Sequence, residues 1–136
     1  MRVAVTGANG QLGSDLCAEL ESRGATVIAL THAEVEIEDP ASVDSAVAAS
    51  RPDAIVNTAA MHHLARCEDD PARALSVNTL GVRNICRAAA KVAAHVVQIS
   101  TDYVFDGNAR RPYVESDHTA PLNVYGVLKF GGRGAS

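Results

Sequence analysis

Residues 6–13 read Thr6-Gly7-Ala8-Asn9-Gly10-Gln11-Leu12-Gly13 and lie between a Val-rich segment and a segment with helical spacing. Arg2 to Thr6 predicts a short strand, and the leucines at i, i+4 and i+8 from Leu12 predict a helix to about Arg23. The three glycines suit a tight turn, a close approach of the backbone to a phosphate, and packing of helix on strand. The pattern therefore predicts a strand–loop–helix unit that holds a dinucleotide pyrophosphate at the helix N-terminus, the alternative being a turn that binds nothing.

Strand and helix patterns alternate along the rest of the chain. Three further strands are predicted at residues 25–30, 54–58 and 95–100, and three further helices at 40–51, 71–94 and from Asn123 onward. Residues 105–122 are polar and carry Gly and Pro, so a loop is expected there, and the glycine-rich residues 130–136 are expected to fray. The alternation predicts one α/β domain over residues 1–136, with a doubly wound parallel sheet of the Rossmann-like kind.

Composition excludes several classes of protein. The formal net charge is −4 and no basic run is present, which argues against nucleic acid as a partner. No apolar run approaches the ~20 residues that cross a membrane. Cys17, Cys67 and Cys86 lack C-x-x-C spacing, and the N-terminus does not read as a signal peptide, so a cytoplasmic location is expected.

The choice between the two nicotinamide dinucleotides depends on the end of the second predicted strand. An acid about 20 residues beyond the glycines would hold the ribose hydroxyls of NAD. The strand instead ends at Thr31-His32, whose side chains can donate to a 2′-phosphate, while Glu34 and Glu36 follow shortly. The sequence therefore favours NADPH and leaves NADH open.

Tyr125 and Lys129 stand four residues apart, so they share one face of the last predicted helix. A nearby ammonium lowers the pKa of a phenol, which would let Tyr125 donate a proton to a carbonyl oxygen as hydride reaches the carbon. Lys129 can also bind the nicotinamide ribose, and Thr101 can bond to the substrate oxygen. The spacing alone is far more typical of an exposed helix, and only its order after the glycine loop and Ser100-Thr101-Asp102 favours catalysis.

Five segments together resemble the dTDP-4-dehydrorhamnose reductase family of extended short-chain dehydrogenases/reductases. They are residues 7–13, 51–60, 77–78, 100–107 and 121–126, of which Ser-Thr-Asp-Tyr-Val-Phe and Pro-Leu-Asn-Val-Tyr-Gly are the most specific. The resemblance implies reduction of the 4-keto group of a dTDP-6-deoxy-4-keto sugar with NADPH or NADH, in dTDP-rhamnose biosynthesis. A nucleotide sugar is the implied substrate, and a homodimer stays open.

The resemblance also implies roles for individual residues. Tyr125 is the proton donor, Lys129 its partner, Thr101 the residue that tunes the tyrosine, and Thr101 with Asp102 meets the sugar. Cofactor contacts are implied for a larger set: Gly7, Gly10, Gln11, Leu12, Gly13, Thr31, Glu36, Ile37, Ala60, Met61, His62, Tyr125 and Lys129.

This sequence departs from the family pattern in two places. His62 and Ala65 stand where the family commonly has Thr and Asp, which affects the region beside the sugar, and Gly131-Gly132 weakens the helix that carries Lys129. Adjacent histidines such as His62-His63 rarely chelate one ion, so no metal is expected. The C-terminal substrate domain of the family is expected to be absent from this chain. The alternatives to an enzyme are a non-catalytic nucleotide-binding or regulatory subunit and an inactive fragment.

Overall fold

The computed structural model describes residues 1–133. Four strands form one sheet: β1 (Arg2–Thr6), β2 (Thr26–Leu30), β3 (Ala54–Asn57) and β4 (His95–Gln98). Six helices connect or follow them: α1 (Gln11–Ser22), α2 (Pro40–Ser50), α3 (Leu64–Asp69), α4 (Pro71–Leu75), α5 (Gly81–Val92) and α6 (Val124–Arg133). A π-helical segment, Ser76–Leu80, joins α4 to α5, and a 3₁₀ turn spans Asp102–Val104.

The sheet is entirely parallel and has the order β2-β1-β3-β4. Strand β1 pairs with β2 on one side and with β3 on the other, so the chain reverses its direction of travel across the sheet after β2. Such a reversal opens a crevice at the carboxyl ends of the two strands between which it occurs, here β1 and β3. The residues that follow these two strands, Gly7 and Thr58, accordingly come together at one edge of the sheet.

Helices cover both faces of the sheet, as predicted. One face packs its buried side chains against α2 and α5, with Ala4 and Ile55 from the sheet meeting Val43, Val47 and Ile85. The opposite face contacts α1 through Val3, Val5 and Val56. Side chains alternate between the two cores along each strand, and small β-branched residues fill both. The predicted doubly wound architecture is confirmed.

Two expectations about secondary structure need correction, and one helix was not expected at all. The helix expected over residues 71–94 begins at Pro71, but it contains the π-helical turn and ends at Val92. Helix α3 was not predicted. The expectation that the chain frays from Phe130 is wrong as far as Arg133, because α6 continues to that residue; residues 134–136 lie outside the described range. Within residues 1–133, no helix is long and apolar enough to cross a bilayer.

Candidate cofactor and catalytic site

A cavity of about 970 Å³ opens at the carboxyl edge of the sheet, at the crevice between β1 and β3. Its volume is at the upper end of the range of small-molecule and cofactor sites. The cavity brings together twelve of the residues selected from the sequence: Gly7, Gly10, Gln11, Leu12, Gly13, Glu36, Ile37, Ala60, Met61, His62, Tyr125 and Lys129. Three others, Thr31, Thr101 and Asp102, do not line it.

The glycine loop has the close packing that a phosphate cradle needs. Gly7 has φ +71°, and a Cβ at Gly13 would lie 2.2 Å from the Gly7 carbonyl oxygen. The first amide of α1 to donate within the helix is that of Ser14, to the Gly10 carbonyl at 2.9 Å. The amides of Gln11 and Leu12 therefore have no protein acceptor within the described part of the chain. They form the positive end of α1 and fit a pyrophosphate.

A buried row of polar side chains links the ends of three strands beneath the cavity. Thr6 Oγ1 donates to Asn57 Oδ1 at 2.6 Å, and Asn57 Nδ2 donates to Gln98 Oε1 at 2.7 Å. Asn57 Oδ1 also accepts from the Ala59 amide at 3.1 Å. Because that amide begins the turn into Ala60 and Met61, the row fixes the wall of the cavity on the side assigned to the nicotinamide.

The π-helical segment connects this turn to the helix that carries Tyr125 and Lys129. Asn78 is 2% exposed and hydrogen-bonds both the amide and the carbonyl of Met61, each at 2.9 Å. The next residue, Thr79, donates its hydroxyl to the carbonyl of Leu128 at 2.8 Å. A π-helical turn inside an α-helix is frequently a functional feature. Here it positions two walls of the cavity relative to each other.

Tyr125 and Lys129 both face the cavity from α6, as the four-residue spacing predicted. Lys129 is 4% exposed, and its ammonium makes no hydrogen bond or ion pair within residues 1–133. Burial lowers the pKa of Lys129. The ammonium opens onto the cavity and has no protein partner among the described residues, so this position suits a lysine that binds an incoming polar ligand.

The expected lowering of the Tyr125 pKa is not found. Burial raises the pKa of Tyr125, the Thr101 hydroxyl lowers it, and Cys67 and Asp102 raise it. Lys129 is not among the groups that shift this pKa. The phenol is therefore protonated at neutral pH, which is the form that donates a proton.

Thr101 and Asp102 meet Tyr125 from outside the cavity. Thr101 Oγ1 accepts from the Tyr103 amide at 3.3 Å and donates to Asp102 Oδ1 at 3.2 Å, which sets the start of the 3₁₀ turn. The rings of Tyr103 and Tyr125 meet edge to face at 6.1 Å. Gly126 permits this approach, since a Cβ there would lie 2.2 Å from the Tyr103 carbonyl oxygen. Tyr125 therefore lines the cavity and is also influenced by Thr101 and Asp102, which do not line it.

At the far end of the cavity, the residues after β2 form a tight turn. Glu34 Oε2 accepts from the Thr31 amide at 2.8 Å and from Thr31 Oγ1 at 2.6 Å. His32 and Glu36 line the cavity, with His32 Nδ1 3.6 Å from Glu36 Oε2. Both donors of Thr31 are consequently engaged by a carboxylate of the same chain.

Sequence reasoning selected Ala60, Met61 and His62 from the segment between β3 and α5 but missed other residues of it that line the cavity. His63, Arg66 and Arg73 line the cavity from the start of α3, from α3 and from α4. The recognised Asp70-Pro71 start of α4 was a signal for Arg73, which is the third residue of that helix. The rings of His62 and His63 lie 4.4 Å apart. Residues 1–133 contain no group of three or more His, Cys, Asp or Glu side chains arranged to hold a metal.

Comparison with known proteins places this geometry in context. Residues 1–135 match the family described as "RmlD substrate binding domain". The dTDP-4-dehydrorhamnose reductase of Streptomyces griseus is 46% identical over 134 residues, which are 98% of this chain and 44% of that protein. The chain therefore spans a little under half the length of this relative.

Solved structures share the fold over the whole chain. The dTDP-4-dehydrorhamnose reductase of Bacillus anthracis in complex with NADP superposes with a TM-score of 0.94 at 36% identity, covering 98% of this chain and 48% of that one. The UDP-glucose 4-epimerase of Thermus thermophilus in complex with NAD gives a TM-score of 0.89 at 25% identity, covering 98% and 49%. These neighbours support a nicotinamide dinucleotide as the cofactor class.

Proposed function

This chain belongs to the RmlD substrate binding domain family, and from that premise we propose that it carries the cofactor site and proton donor of a sugar-nucleotide 4-ketoreductase. The observation that carries the proposal is the joint position of Lys129 and Tyr125 on α6, facing a cavity whose opposite end is the glycine loop. The substrate class is a dTDP-6-deoxy-4-keto sugar, which the names of the relatives support.

When bound, NADPH or NADH supplies the hydride. The residues of this chain do the rest: the amides of Gln11 and Leu12 bind the pyrophosphate, and Lys129 binds the nicotinamide ribose. Tyr125 donates its phenolic proton to the oxygen of the sugar carbonyl, and Thr101 orients and tunes that phenol. A phenol kept protonated by burial suits this donation, and its return to the neutral form completes the cycle.

Residues 1–136 form the NAD(P)-binding domain in this proposal. Sugar recognition then also requires a unit equivalent to the part of the relatives that this chain does not span, because positioning the substrate is a large part of catalysis. Thr101 and Asp102 act on Tyr125 without lining the cavity, and we expect the sugar to meet these two residues.

The test is a chimera in which residues 1–133 replace the matching part of the Streptomyces griseus relative. We expect the chimera to oxidise a nicotinamide dinucleotide when a dTDP-6-deoxy-4-keto sugar is added. Tyr125→Phe should reduce turnover by about 10²–10⁴-fold with cofactor affinity nearly unchanged. Tyr103→Phe is the matched control, since it removes a neighbouring phenol.

The outcomes separate the alternatives. Equal turnover in the Tyr125→Phe and unaltered chimeras would remove Tyr125 from the mechanism. A chimera that is folded and binds the dinucleotide but does not turn over would favour a nucleotide-binding subunit without catalytic activity.

A further inference from the structure

We propose that Glu68 positions the phenol of Tyr125 by tethering the first turn of α6 to α3. The inference rests on the proposed role of Tyr125 as proton donor. Glu68 does not line the cofactor cavity, so it acts through the backbone of α6 and is a positioning residue rather than a catalytic one.

Glu68 binds the backbone at the start of the helix that carries Tyr125. Its Oε1 atom accepts from the amide of Val124 at 2.9 Å, and the two residues are 56 positions apart. Val124 is the first residue of α6, so its amide has no acceptor inside the helix. A carboxylate at this point makes a charge-assisted hydrogen bond and complements the positive end of the helix. Because Tyr125 follows directly, the contact fixes the backbone one residue before the phenol.

The other hydrogen bonds of this turn are local. Asn123 Oδ1 accepts from the amide of Gly126 at 2.7 Å, and the Asn123 carbonyl accepts from the amide of Val127 at 3.1 Å. These bonds hold the turn together, but they move with it because both partners of each bond belong to it. Glu68 instead joins the turn to a different helix, and it therefore sets where the turn lies.

Helix α3 is a firm point of attachment for this tether. Cys67, the residue before Glu68, is 0% exposed, and its thiol donates to the carbonyl of Met61 at 3.3 Å. Cys67 is also close enough to Tyr125 to raise the pKa of its phenol. The same short helix therefore contacts the cavity wall at Met61, lies near the phenol and holds the start of α6.

Apolar packing restrains the start of α6 only weakly on the side of α3. A hollow of about 320 Å³ is lined there by Glu68 and by residues of the 121–128 segment. Two of the latter, Leu122 and Val127, are 76% and 50% exposed. Since these side chains bury little area against α3, the hydrogen bond from Glu68 is the specific contact between the two helices at this point.

Lys129 is held by a separate contact. The hydroxyl of Thr79 donates to the carbonyl of Leu128 at 2.8 Å, one residue before Lys129. Loss of the Glu68 contact should therefore displace the first turn of α6 and leave the second in place. Because proton donation depends on Tyr125 and ribose binding on Lys129, the loss should appear in turnover and not in dinucleotide affinity.

The first experiment uses the chimera that carries residues 1–133. Glu68→Ala should lower kcat by about 10- to 100-fold, the cost of a displacement of ~1 Å at a reacting group, and should leave the dissociation constant of the dinucleotide within about twofold. Glu68→Gln keeps an oxygen that can accept from Val124, so it should retain most of the turnover. Asp44→Ala is the matched control: it removes a carboxylate that bonds Lys91, 47 residues away, at 2.7 Å, and should not change kcat.

The second experiment follows the phenol itself, in the 136-residue chain without substrate. Burial raises the pKa of Tyr125 above its ordinary value of 10.0. If Glu68→Ala releases the first turn, the phenol becomes more exposed and this pKa should fall toward 10.0, whereas Asp44→Ala should leave it unchanged. An NMR titration of ring-labelled tyrosine measures the pKa, Tyr125→Phe identifies the signal, and urea unfolding checks that each variant is folded.

The outcomes distinguish this inference from the proposed function. Unchanged kcat in an active Glu68→Ala chimera, or an equal loss in Glu68→Gln, would overturn the positioning role of Glu68 and leave the proposed reductase standing. An unchanged Tyr125 pKa in Glu68→Ala would overturn it as well. If the unaltered chimera is inactive, the proposed function fails, and the titration alone decides whether Glu68 holds Tyr125 in place.

Discussion

Asn78 holds the peptide of Met61 on both sides, donating from Nδ2 to its carbonyl and accepting at Oδ1 from its amide, each at 2.9 Å. The two residues are 17 positions apart, one in the π-helical segment and the other in the turn after β3. A side-chain amide carries a donor and an acceptor side by side, so it can satisfy both halves of a peptide unit in this way. The contact therefore sets the position of the cavity wall around Ala60 and Met61.

Asn78→Ala should destabilise the chain by about 1–3 kcal/mol, because it leaves the Met61 amide without a partner and the Met61 carbonyl with only the weak thiol donor of Cys67, at 3.3 Å. Urea unfolding measures the change. Dinucleotide affinity should also fall, since the turn would lose its fixed position. Thr79→Val is the matched control: it removes one hydrogen bond, to Leu128 on α6, and should cost about 1 kcal/mol. Equal, small losses in both variants would contradict the positioning role of Asn78.

The two adjacent glycines near the end of α6 should respond oppositely to alanine. A Cβ at Gly132 would lie 2.9 Å from the carbonyl oxygen of Asn78, whereas one at Gly131 would lie 3.4 Å from the side chain of Thr79. Gly131→Ala should raise the free energy of unfolding by about 0.5–1 kcal/mol through helix propensity. Gly132→Ala should lower it by about 1–3 kcal/mol, because the helix must move away from the π-helical segment.

Thermal or urea unfolding of the two alanine variants decides this prediction directly. The chemistry of the substitution is the same at both positions, so the difference between them reports the contact alone. If Gly132→Ala were the more stable of the pair, α6 would not pack closely on Asn78.

Lys129→Met should stabilise the chain near neutral pH by about 0.5–2 kcal/mol in the absence of cofactor. Burial lowers the pKa of Lys129 in the folded chain below its ordinary value of 10.5. Between the folded and the ordinary pKa, the folded chain therefore binds fewer protons than the unfolded chain. The stability of the unaltered chain therefore rises with pH through that window. The destabilisation caused by burying the Lys129 ammonium is complete below the pKa of Lys129 in the folded chain, and it vanishes above the pKa of Lys129 in the unfolded chain.

The measurement compares the unfolding free energies of the two chains near neutral pH and near pH ~10. Their difference should shrink as the pH rises. A difference that grew with pH would mean that the ammonium of Lys129 is stabilised in the folded chain.

The loop before α6 contains an ion pair, between Arg111 and Asp117, whose strength depends on pH. Arg111 donates to both oxygens of Asp117, at 2.8 and 2.7 Å, and lowers the pKa of that carboxyl from 3.8 to about 2. The contribution of the carboxylate to loop order is complete above the ordinary pKa and is lost as the pH falls through about 2. Arg111→Gln should return the Asp117 pKa toward 3.8, as measured by a carboxyl-detected NMR titration.

Arg110→Gln is the control for this prediction, because the neighbouring arginine forms no ion pair with Asp117 in the structure. A pKa of Asp117 that stays low in Arg111→Gln would assign the shift to the amide of Val114, which also donates to the carboxylate at 2.9 Å.

Patterns of several residues predicted the sheet and the first two helices well. The Val-rich strands, the leucines of α1 and the Asp39-Pro40 start of α2 are local signals that agree with the packing around them. Helix α3 was not predicted from the sequence because it has only six residues and because His63 before it forms no side-chain cap. The π-helical turn carries Asn78, which contacts Met61 at a distance along the chain that no local pattern contains.

The positions expected for site residues agree with the structure where they follow from backbone geometry, and the roles of these residues stay predictions. The glycine loop and the shared face of Tyr125 and Lys129 are of this kind. The expected direction of the Tyr125 pKa shift was wrong because burial, which the sequence does not display, raises that pKa. Gly131 and Gly132 were judged by helix propensity alone, whereas a close approach of two helices decides the second.

The buried row from Thr6 through Asn57 to Gln98 has one further consequence, for strand register. A hydroxyl, an amide and a second amide pass hydrogen bonds in a single direction, ending where Gln98 Nε2 donates to the Ile99 carbonyl at 2.8 Å. Asn57 pairs across the sheet with Thr6 and with Gln98. A slip of β4 by one residue would bring Val97 or Ile99 opposite Asn57 and leave its amide unbonded in the interior. The row therefore specifies the register of the strands. It disfavours sheets in which a strand is shifted by one residue, whereas the valines around it would pack almost equally well after such a shift.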